Sequence, residues 1–390
     1  MVKDGRGEVG GGFFVLRDLV MEKQNFSAED CRFMRRAMEL ADRGKGFVNP
    51  NPLVGAVVVK EGQIIGEGWH EFYGGLHAER NAFKNCTEDT RGAALYVTLE
   101  PCCHYGKTPP CTDIVIEKGI ARVVVGLTDP NPLVAGKGIE KLRNAGIEVV
   151  VGIEQELLRE QNRIFLKYIT TKQPWVALKT AMTLDGKIAT VEGDSKWVTA
   201  EAARLRVHQM RSEYRGILVG AGTVRADDPL LNCRLEDKHR QPVRIVVCTK
   251  ADIALDSQLV RTAREYPLIV AYTAAEEEVL EELRKAGVRT LLCARKEGKV
   301  ALKDMLNKLG GLGIDSVLLE GGGELNYTFL QENLVDEVFA FIAPKLIGGR
   351  EAKTPVEGKG FERMSDAVVL QDLQAEKIGM DFLIRGKVKK

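Results

Sequence analysis

The sequence predicts an α/β protein of two domains, and three observations carry that expectation. The chain has 390 residues, more than one hydrophobic core of ordinary size uses. In both halves, short β-branched runs alternate with amphipathic helical stretches, the pattern of a largely parallel sheet with helices on both faces. A long helical stretch then runs into "KQP", where Pro174 breaks it. The boundary falls at residue 172, with one domain over 27–172 and another over 173–390.

Residues 1–26 read as a disordered, dispensable extension. "DGRGEVGGG" is polar and Gly-rich, and Met21 is an alternative start. Ser27 with Asp30 three residues on resembles a capping box. Cys31, Met34, Met38 and Ala41 follow at helical spacing, and Gly44 stops the helix. "VGAVVVK" and "QIIGEGW" flank Glu61-Gly62 and read as a hairpin. A helix is expected from about His77, then strand "ALYVTL" and a helix from about Pro109 with Thr108 as its N-cap. Strand "RVVVGL", a helix near 137–145, strand "IEVVVGI" and the long helix "EQELLREQNRIFLKYITT" complete this half.

The second half restarts with strand "WVALKTAM" and a helix near 200–213. Strands "GILVGAG", "VRIVVCT", "LIVAYT" and "TLLC" follow, with helices at 276–286 and 301–309. Strand "SVLLEGG", a helix from about Glu324, strand "EVFAFIAP" and a hairpin over 367–388 finish the chain. No repeat of fixed short period is present.

Hydrophobic content of 44% and charged content of 28% are ordinary for a soluble globular protein. A formal net charge of +1 and 6% aromatics argue against a nucleic-acid partner bound by bulk electrostatics. The run "FFVLRDLVM" is too short, and too charged at Arg17 and Asp18, to span a membrane. Cys31, Cys86, Cys102, Cys103, Cys111, Cys233, Cys248 and Cys293 are too sparse for a disulfide scaffold. They read as free or metal-bound thiols in a reducing cytoplasm.

The densest chemistry lies in "HAE", His77 to Glu79, and "EPCCHYGKTPPC", Glu100 to Cys111. Thiolate and neutral imidazole form the donor set that zinc prefers, and a catalytic zinc keeps three protein ligands and one open position. The pattern H-x-E followed by P-C and a later Cys marks the zinc deaminases of bases, with two residues between the cysteines. Here eight residues intervene between Cys102 and Cys111. His77, Cys102 and Cys111 are the expected ligands of one zinc per chain. Cys102 follows a strand through Pro101, and Cys111 opens a helix whose dipole favours a thiolate. Zinc lowers the pKa of its water from about 15.7 to about 7. Glu79, not a ligand, would take that proton and pass it to the departing amine, a contribution of about 10²–10⁴-fold.

Alternatives exist at each position. A structural zinc would take Cys103 as a fourth ligand, which leaves Glu79 unexplained, and Cys103 is also a substitute for Cys102. His70 and His104 read either as plain polar residues or as substrate contacts. Lys107 suits an anionic substrate or is a solvated loop lysine.

"NPNPLVGAVVVK", "HAE", "YVTLEPCCHYGKTPPC" and "DPNPLVAGKGI" together resemble the bifunctional riboflavin-biosynthesis deaminase/reductase family of bacteria. Cys103 stands where that family usually has serine. The resemblance implies a cytidine-deaminase-like three-layer α/β/α domain that deaminates 2,5-diamino-6-ribosylamino-4(3H)-pyrimidinone 5′-phosphate. It places Asn51 on the ribose or ring, and Lys107 with His104 on the base or phosphate.

In the second half, "LLEGGGELN" at 318–326 follows a strand and opens a helix, as a pyrophosphate loop does. Yet G-x-G-x-x-G fails, because Asn326 stands where the last glycine belongs. A plain tight turn accounts for the glycines equally well. "VALKTAMTLDGKIA", "GDSKWVT", "VGAGTVRADDPLLNCR" and "VDEVFAFIAPKLIGG" resemble the reductase half of the same family, which is dihydrofolate-reductase-like in fold. The resemblance implies NADPH-dependent reduction of 5-amino-6-(5-phosphoribosylamino)uracil to its ribitylamino product. By matching position, Ala181, Trp197, Thr223, Asp227, Thr249 and Gly322, Gly323, Glu324, Leu325, Asn326, Tyr327 and Thr328 would hold NADPH. Ser195, Arg211, Leu231, Arg234 and Glu320 would hold substrate, and Lys179 would be catalytic through an essential substrate contact. Arg211 and Arg234 suit a phosphate, as bidentate donors do, or are surface ion-pair partners. Asp227 and Asp228 alternatively cap a turn before Pro229.

The resemblance also implies a homo-oligomer through the reductase half. Two rival readings remain: a deaminase of nucleic-acid bases, which wants a basic or aromatic groove, and a zinc-stabilised binding protein without catalysis.

Overall fold

The computed structural model describes residues 26–105, 109–131, 135–237 and 239–390. The expected N-terminal extension, except Phe26, and the Thr108 cap lie outside the described residues.

The first half begins with helix α1 (Ala28–Asp42), where the Ser27 hydroxyl accepts the Asp30 N–H at 3.0 Å. Its buried face runs through Phe33, Met34, Ala37, Leu40 and Ala41. Cys31 and Met38, read as part of that face, sit at its margins. Strands β1 (Gly55–Lys60) and β2 (Gln63–Trp69) form the expected hairpin, with Glu61 and Gly62 at φ 49° and 75°. Two successive positive-φ residues match the right-handed twist of a two-residue hairpin. Helix α2 (Ala78–Lys84), strand β3 (Ala94–Leu99), helix α3 (Cys111–Glu117), strand β4 (Arg122–Leu127), helix α4 (Lys137–Asn144) and strand β5 (Glu148–Val151) follow.

Among the described residues these strands form a five-stranded sheet in the order β2-β1-β3-β4-β5. It is mixed rather than largely parallel, because β1 pairs antiparallel with both β2 and β3. Val58, Val97 and Val125 face α2, α3 and α4, while Val57, Tyr96 and Val124 face α1 and the helices after β5. Period-two alternation along three strands thus builds a helix–sheet–helix sandwich. Contact is close on the α1 side: a Cβ on Gly55 would lie 1.9 Å from the Ala37 carbonyl oxygen.

The long helical stretch after β5 is two helices, α5 (Gln155–Gln161) and α6 (Arg163–Thr171), broken at Asn162. Asn162 is buried, and its amide both accepts from Leu53 N at 2.9 Å and donates to Leu53 O at 3.0 Å. A tertiary bond to a distant loop therefore interrupts a helix that local propensity favours.

Behind it, strand β6 (Trp175–Thr183) starts the second half. Helix α7 (Glu201–Glu213), strand β7 (Gly216–Gly220), helix α8 (Ala221–Asp227), strand β8 (Val243–Val247), a short helix α9 (Gln258–Arg261) and strand β9 (Leu268–Tyr272) come next. Helix α10 (Glu277–Lys285), strand β10 (Arg289–Leu292), a two-residue ribbon of β11 (Arg295–Lys296) and β12 (Lys299–Val300), and helix α11 (Leu302–Gly311) follow. Strand β13 (Ser316–Leu319), helix α12 (Gly323–Gln331), strand β14 (Glu337–Ala343) and the hairpin β15 (Leu370–Ile378)–β16 (Asp381–Val388) end the chain. The sheet order among the described residues is β10-β9-β8-β7-β13-β6-β14-β16-β15, parallel from β10 to β14 and antiparallel in the final hairpin. Helices α8 and α9 and the β11–β12 ribbon have no counterpart in the sequence reading, because each is too short to show a period.

Helix α6 ties the halves together. Arg163 pairs with the fully buried Glu337 at 3.1 Å, Lys167 pairs with Asp336, and the Tyr168 hydroxyl donates to Gly310 O at 2.9 Å.

An acid-sensitive tie lies within the first half. Asp30 accepts from Arg122 at 2.7 Å and from the Tyr96 hydroxyl at 2.8 Å. Hydrogen bonding to Arg122 holds its carboxyl at about 2, against the desolvation that would raise it. A carboxyl depressed by folding stabilises the protein above its unfolded value, near 4, and that contribution fades as pH falls toward 2. Asp30→Asn should therefore lower the melting temperature at pH 7 by a few degrees, from a loss of about 1–2 kcal/mol. The deficit should narrow between roughly pH 4 and pH 2 when melts are followed by circular dichroism.

Candidate active sites

Where β3 ends and α2 and α3 begin, three soft donors meet. His77 is the N-cap residue of α2 and Cys111 the first residue of α3. The helix thus starts at Cys111 rather than Pro109, since Pro110 takes the extended cap position. His77 Nδ1 lies 3.5 Å from Cys102 Sγ and 3.3 Å from Cys111 Sγ. Tetrahedral zinc with Zn–N of about 2.0–2.1 Å and Zn–S of about 2.3 Å separates N from S by about 3.6 Å. The donor set and its spacing therefore fit zinc. Among the described residues the metal-ligating cluster is His77, Cys102 and Cys111. Cys103, the fourth donor of the structural alternative, is not part of it.

Cys111 sits at the helix start as expected, and its N–H also reaches the neighbouring sulfur. Cys111 N donates to Cys102 Sγ at 3.3 Å. Hydrogen bonds from Cys111 and His77 bring the Cys102 thiol down to about 4, while the bond to Cys102 and burial push the Cys111 thiol well up. A bound divalent cation would take both as thiolates.

Glu79 lies one residue inside α2, buried to 3% exposure, with its carboxyl against Cys111 and His77. Burial raises its proton affinity. Helix α2 carries it close to the sheet because Gly68 of β2 leaves room: a Cβ there would lie 2.2 Å from Ala82 N.

A cavity of about 380 Å³ opens beside this cluster. Asn51, His70 and His104 line it together with His77, Glu79 and Cys102. His70 Nδ1 lies 2.9 Å from Leu76 O, so it carries the proton. Nε2 is then the acceptor for Asn51 Nδ2 at 3.1 Å. Burial lowers the proton affinity of His70, which keeps it neutral. Lys107 lies outside the described residues.

Several contributors escaped the sequence reading. Glu100, buried, accepts main-chain N–H groups of Asp129, Gly136, Gly138 and Ile139 at 2.9–3.2 Å. It clamps the start of α4 against Pro101, where Gly138 is required because a Cβ would sit 2.2 Å from Pro101 O. Its position inside "TLEPC" was the available signal. Asp129 and three α6 residues, Phe165, Tyr168 and Ile169, line the cavity too. Only the path of the chain after β5 brings α6 there.

The second cluster sits at the carboxyl end of β13, beside the middle of β6. Glu320, its side chain 7% exposed, bridges Lys179 Nζ at 3.0 Å and Arg211 at 2.8 and 2.9 Å in a fork. Burial would raise the Glu320 carboxyl, but Arg211 and Lys179 outweigh it and hold the group well below the carboxylate range. Arg211 also donates to Asn232 O, and Arg234 donates to Asn232 Oδ1 at 2.8 Å. Three cations against one carboxylate leave positive charge for an anion. Neither Arg211 nor Lys179 is a mere surface ion-pair partner, since their side chains are 13% and 14% exposed. Burial and the facing Arg211 and Arg234 bring His208 down to about 4, so it remains neutral among them. Leu231, by contrast, is buried in the hydrophobic core at φ 53° and offers only its backbone. Ser195 lies half-buried in the loop after β6.

The remaining residues line the carboxyl ends of the parallel strands, where α/β sheets bind ligands. Ala181 is on β6, Trp197 in the loop after it, Thr223 and Asp227 on α8 behind β7, and Thr249 just past β8. Gly322 caps α12 behind β13, and a Cβ on it would meet only the Thr223 hydroxyl at 3.7 Å. Open space at Gly322 beside the Thr223 hydroxyl leaves room for a phosphate of NADPH, whereas Gly323, the next residue, is covered by Glu357, whose Cγ would lie 2.4 Å from a Cβ there. Glu324 and Leu325 lie in the first turn. Gly321 has no room for a side chain, with Asn326 Oδ1 at 2.8 Å. Asn326 and Tyr327 turn away from this edge: Asn326 Nδ2 donates to Gly321 O and Pro355 O, and the Tyr327 hydroxyl donates to Gly360 O. The Thr328 hydroxyl donates to Glu324 O within the helix. Asp228, not Asp227, makes the turn contact, accepting Gln258 N at 2.8 Å.

Comparison with known proteins agrees with this geometry. A family model described as the cytidine and deoxycytidylate deaminase zinc-binding region matches residues 27–127, and one for the RibD C-terminal domain matches 174–384. The riboflavin biosynthesis protein RibD of Actinobacillus pleuropneumoniae is 52% identical over 355 residues, 91% of this chain and 94% of its own. That of Escherichia coli K12 is 38% identical over 368 residues, 91% and 98% of the two chains. The solved structure of Acinetobacter baumannii RibD, form 2, superposes with a TM-score of 0.83 at 37% identity, covering 93% of this chain and 99% of that one. The diaminohydroxyphosphoribosylaminopyrimidine deaminase/5-amino-6-(5-phosphoribosylamino)uracil reductase of Thermotoga maritima gives 0.82 at 42% identity, with the same coverage.

Proposed function

The chain belongs to the RibD family, the zinc- and NADPH-dependent deaminase/reductases of riboflavin biosynthesis, and from that premise we propose which of its residues perform each reaction. The observation that carries the assignment is the presence of two separate polar clusters, one per sheet. The deaminase half takes residues 27–172 and the reductase half 173–390.

In the first half His77, Cys102 and Cys111 would hold zinc, which would lower the pKa of a bound water to about 7. Glu79 would take a proton from water as its oxygen bonds ring carbon 2 and give that proton to the amine nitrogen, so that the C–N bond breaks and ammonia leaves, while the remaining hydroxyl proton passes to a ring nitrogen and a carbonyl results. Asn51, oriented by its bond to neutral His70, presents its remaining amide N–H and its carbonyl oxygen to the ring or ribose, with the His70 ring against them and His104 at the cavity mouth. Near-neutral net charge and low aromatic content favour a free phosphoribosyl-pyrimidine over a base flipped from nucleic acid. Among the described residues no helix is long and apolar enough to cross a membrane.

In the second half NADPH supplies the reducing equivalent that converts the ribosyl group to ribityl. Lys179, held by Glu320, contacts the reacting sugar, while Arg211 and Arg234 bind its phosphate. Ser195 closes the substrate from the loop after β6. The α12 start, Thr223 and the strand ends hold the cofactor, with Asn326 and Tyr327 fixing the glycine loop from behind. The exposed side chains of Phe382 and Ile384 on β16, and of Leu373 on the sheet's edge strand β15, support association of two chains through this half. Eight free cysteines support a cytoplasmic setting.

The test is metal analysis combined with assays of both reactions on the purified chain. One zinc per chain is expected, with ammonia released from the diaminopyrimidinone and NADPH oxidised on its product. Cys103→Ser should keep full zinc content and both activities, whereas Cys102→Ser should lose zinc and ammonia release. Zinc lost from Cys103→Ser would instead mean a closed, four-ligand structural site.

A further inference from the structure

Asp315 stands immediately before β13, the reductase strand whose other end leads into Glu320. It is 1% exposed, yet one of its partners belongs to the other half of the chain. Asn49 Nδ2 donates to Asp315 Oδ2 at 2.7 Å, and the Ser316 hydroxyl donates to Oδ1 at 2.8 Å. The Asp315 carbonyl accepts from Trp175 N at 2.8 Å, which fixes its backbone in the sheet. Arg240, also from the reductase half, reaches the Asn49 carbonyl at 3.5 Å.

Asn49 opens the segment Asn49-Pro50-Asn51-Pro52, and its last three residues line the deaminase cavity. Asn51 is folded back by its N–H to Val48 O at 2.8 Å, which aims its amide at His70. Two prolines leave this segment little freedom of its own; Asn162 pins its far end at Leu53, and what holds Asn49 sets the near end. A buried carboxylate is costly unless its hydrogen bonds are made, so the Asn49–Asp315 bond is firmly kept.

We infer that Asp315 is a positioning residue for deamination: through Asn49 it sets where Asn51 meets the substrate, so the reductase half completes the deaminase pocket. This rests on the reading of Asn51 as a substrate contact.

The experiment uses the full chain and measures ammonia release against substrate concentration, with NADPH oxidation on the deaminated substrate in parallel. Asn49→Ala and Asp315→Ala should each raise KM for deamination about tenfold, the worth of one hydrogen bond to a charged group. The deaminase kcat and both reductase constants should stay unchanged. Asp315→Asn, which keeps an acceptor oxygen for Asn49, should restore most of the affinity. The double variant Asn49→Ala/Asp315→Ala should be no worse than either single one, because one bond cannot be lost twice. If Asp315→Ala does not fold, Asn49→Ala alone decides. An Asn49→Ala enzyme with unchanged KM, or with both activities reduced together, overturns the inference. Asn51→Ala separates the two levels. If it raises KM while Asn49→Ala does not, the inference fails and the Asn51 reading stands; if it leaves KM unchanged, the Asn51 reading fails as well.

Discussion

Glu79→Gln is expected to lower ammonia release by about 10²–10⁴-fold while leaving one zinc per chain and full NADPH oxidation on the deaminated substrate. The substitution keeps size and shape in a site that is 3% exposed, so packing is preserved and only the capacity to take and give a proton is removed. Glu79 does not belong to the metal-ligating cluster, so the metal should stay. The reductase cluster is on another sheet, so its turnover should stay as well. A Glu79→Gln enzyme that released ammonia at the parent rate would remove Glu79 from the mechanism and return the zinc site to a structural role. The same measurement separates the enzyme from a zinc-stabilised binding protein, for which the substitution would be silent.

Glu320→Ala should be the most damaging single change in the reductase half. It removes the carboxylate shared by Lys179 and the Arg211 fork and leaves two enclosed cations facing each other. Removing one partner of a buried ion pair costs roughly 3–5 kcal/mol, which thermal melts will register as a clear loss. Reductase turnover should fall by at least about 100-fold, since both the lysine and the phosphate-binding arginine lose their anchor. The pH dependence has a definite sign. The Glu320 carboxyl is held below its ordinary value, so its stabilisation is complete above the unfolded value near 4.3 and disappears as pH falls through the folded one. The gap between parent and variant should therefore be widest at neutral pH and shrink in acid. A variant that melts like the parent at pH 7 would show that the cluster is not the buried tie described above.

Much of the deaminase site was legible because its chemistry is written in short spacings. His77 and Glu79 are two residues apart at a helix start, and the cysteines follow a strand end and open a helix. Both junctions announce themselves by local signals, a proline or a change of hydrophobic period. The reductase cluster was harder. Lys179, Arg211 and Glu320 are far apart in sequence, and no local pattern says that one carboxylate serves two cations. Their selection came from family resemblance, and the resemblance did not say that Leu231 is buried or that Asn326 and Tyr327 face the 355–360 loop.

Sequence alone determined the donor chemistry, the two α/β halves and most elements, because residue type and hydrophobic period act over a few neighbours. Tertiary structure decided the rest. It broke the helix at Asn162 to bind Leu53, directed the first α3 N–H at Cys102, brought α6 to the deaminase cavity and set Asp315 against Asn49. These depend on hydrogen bonds between residues 9 to 266 positions apart, made only once burial has excluded water as a competing partner.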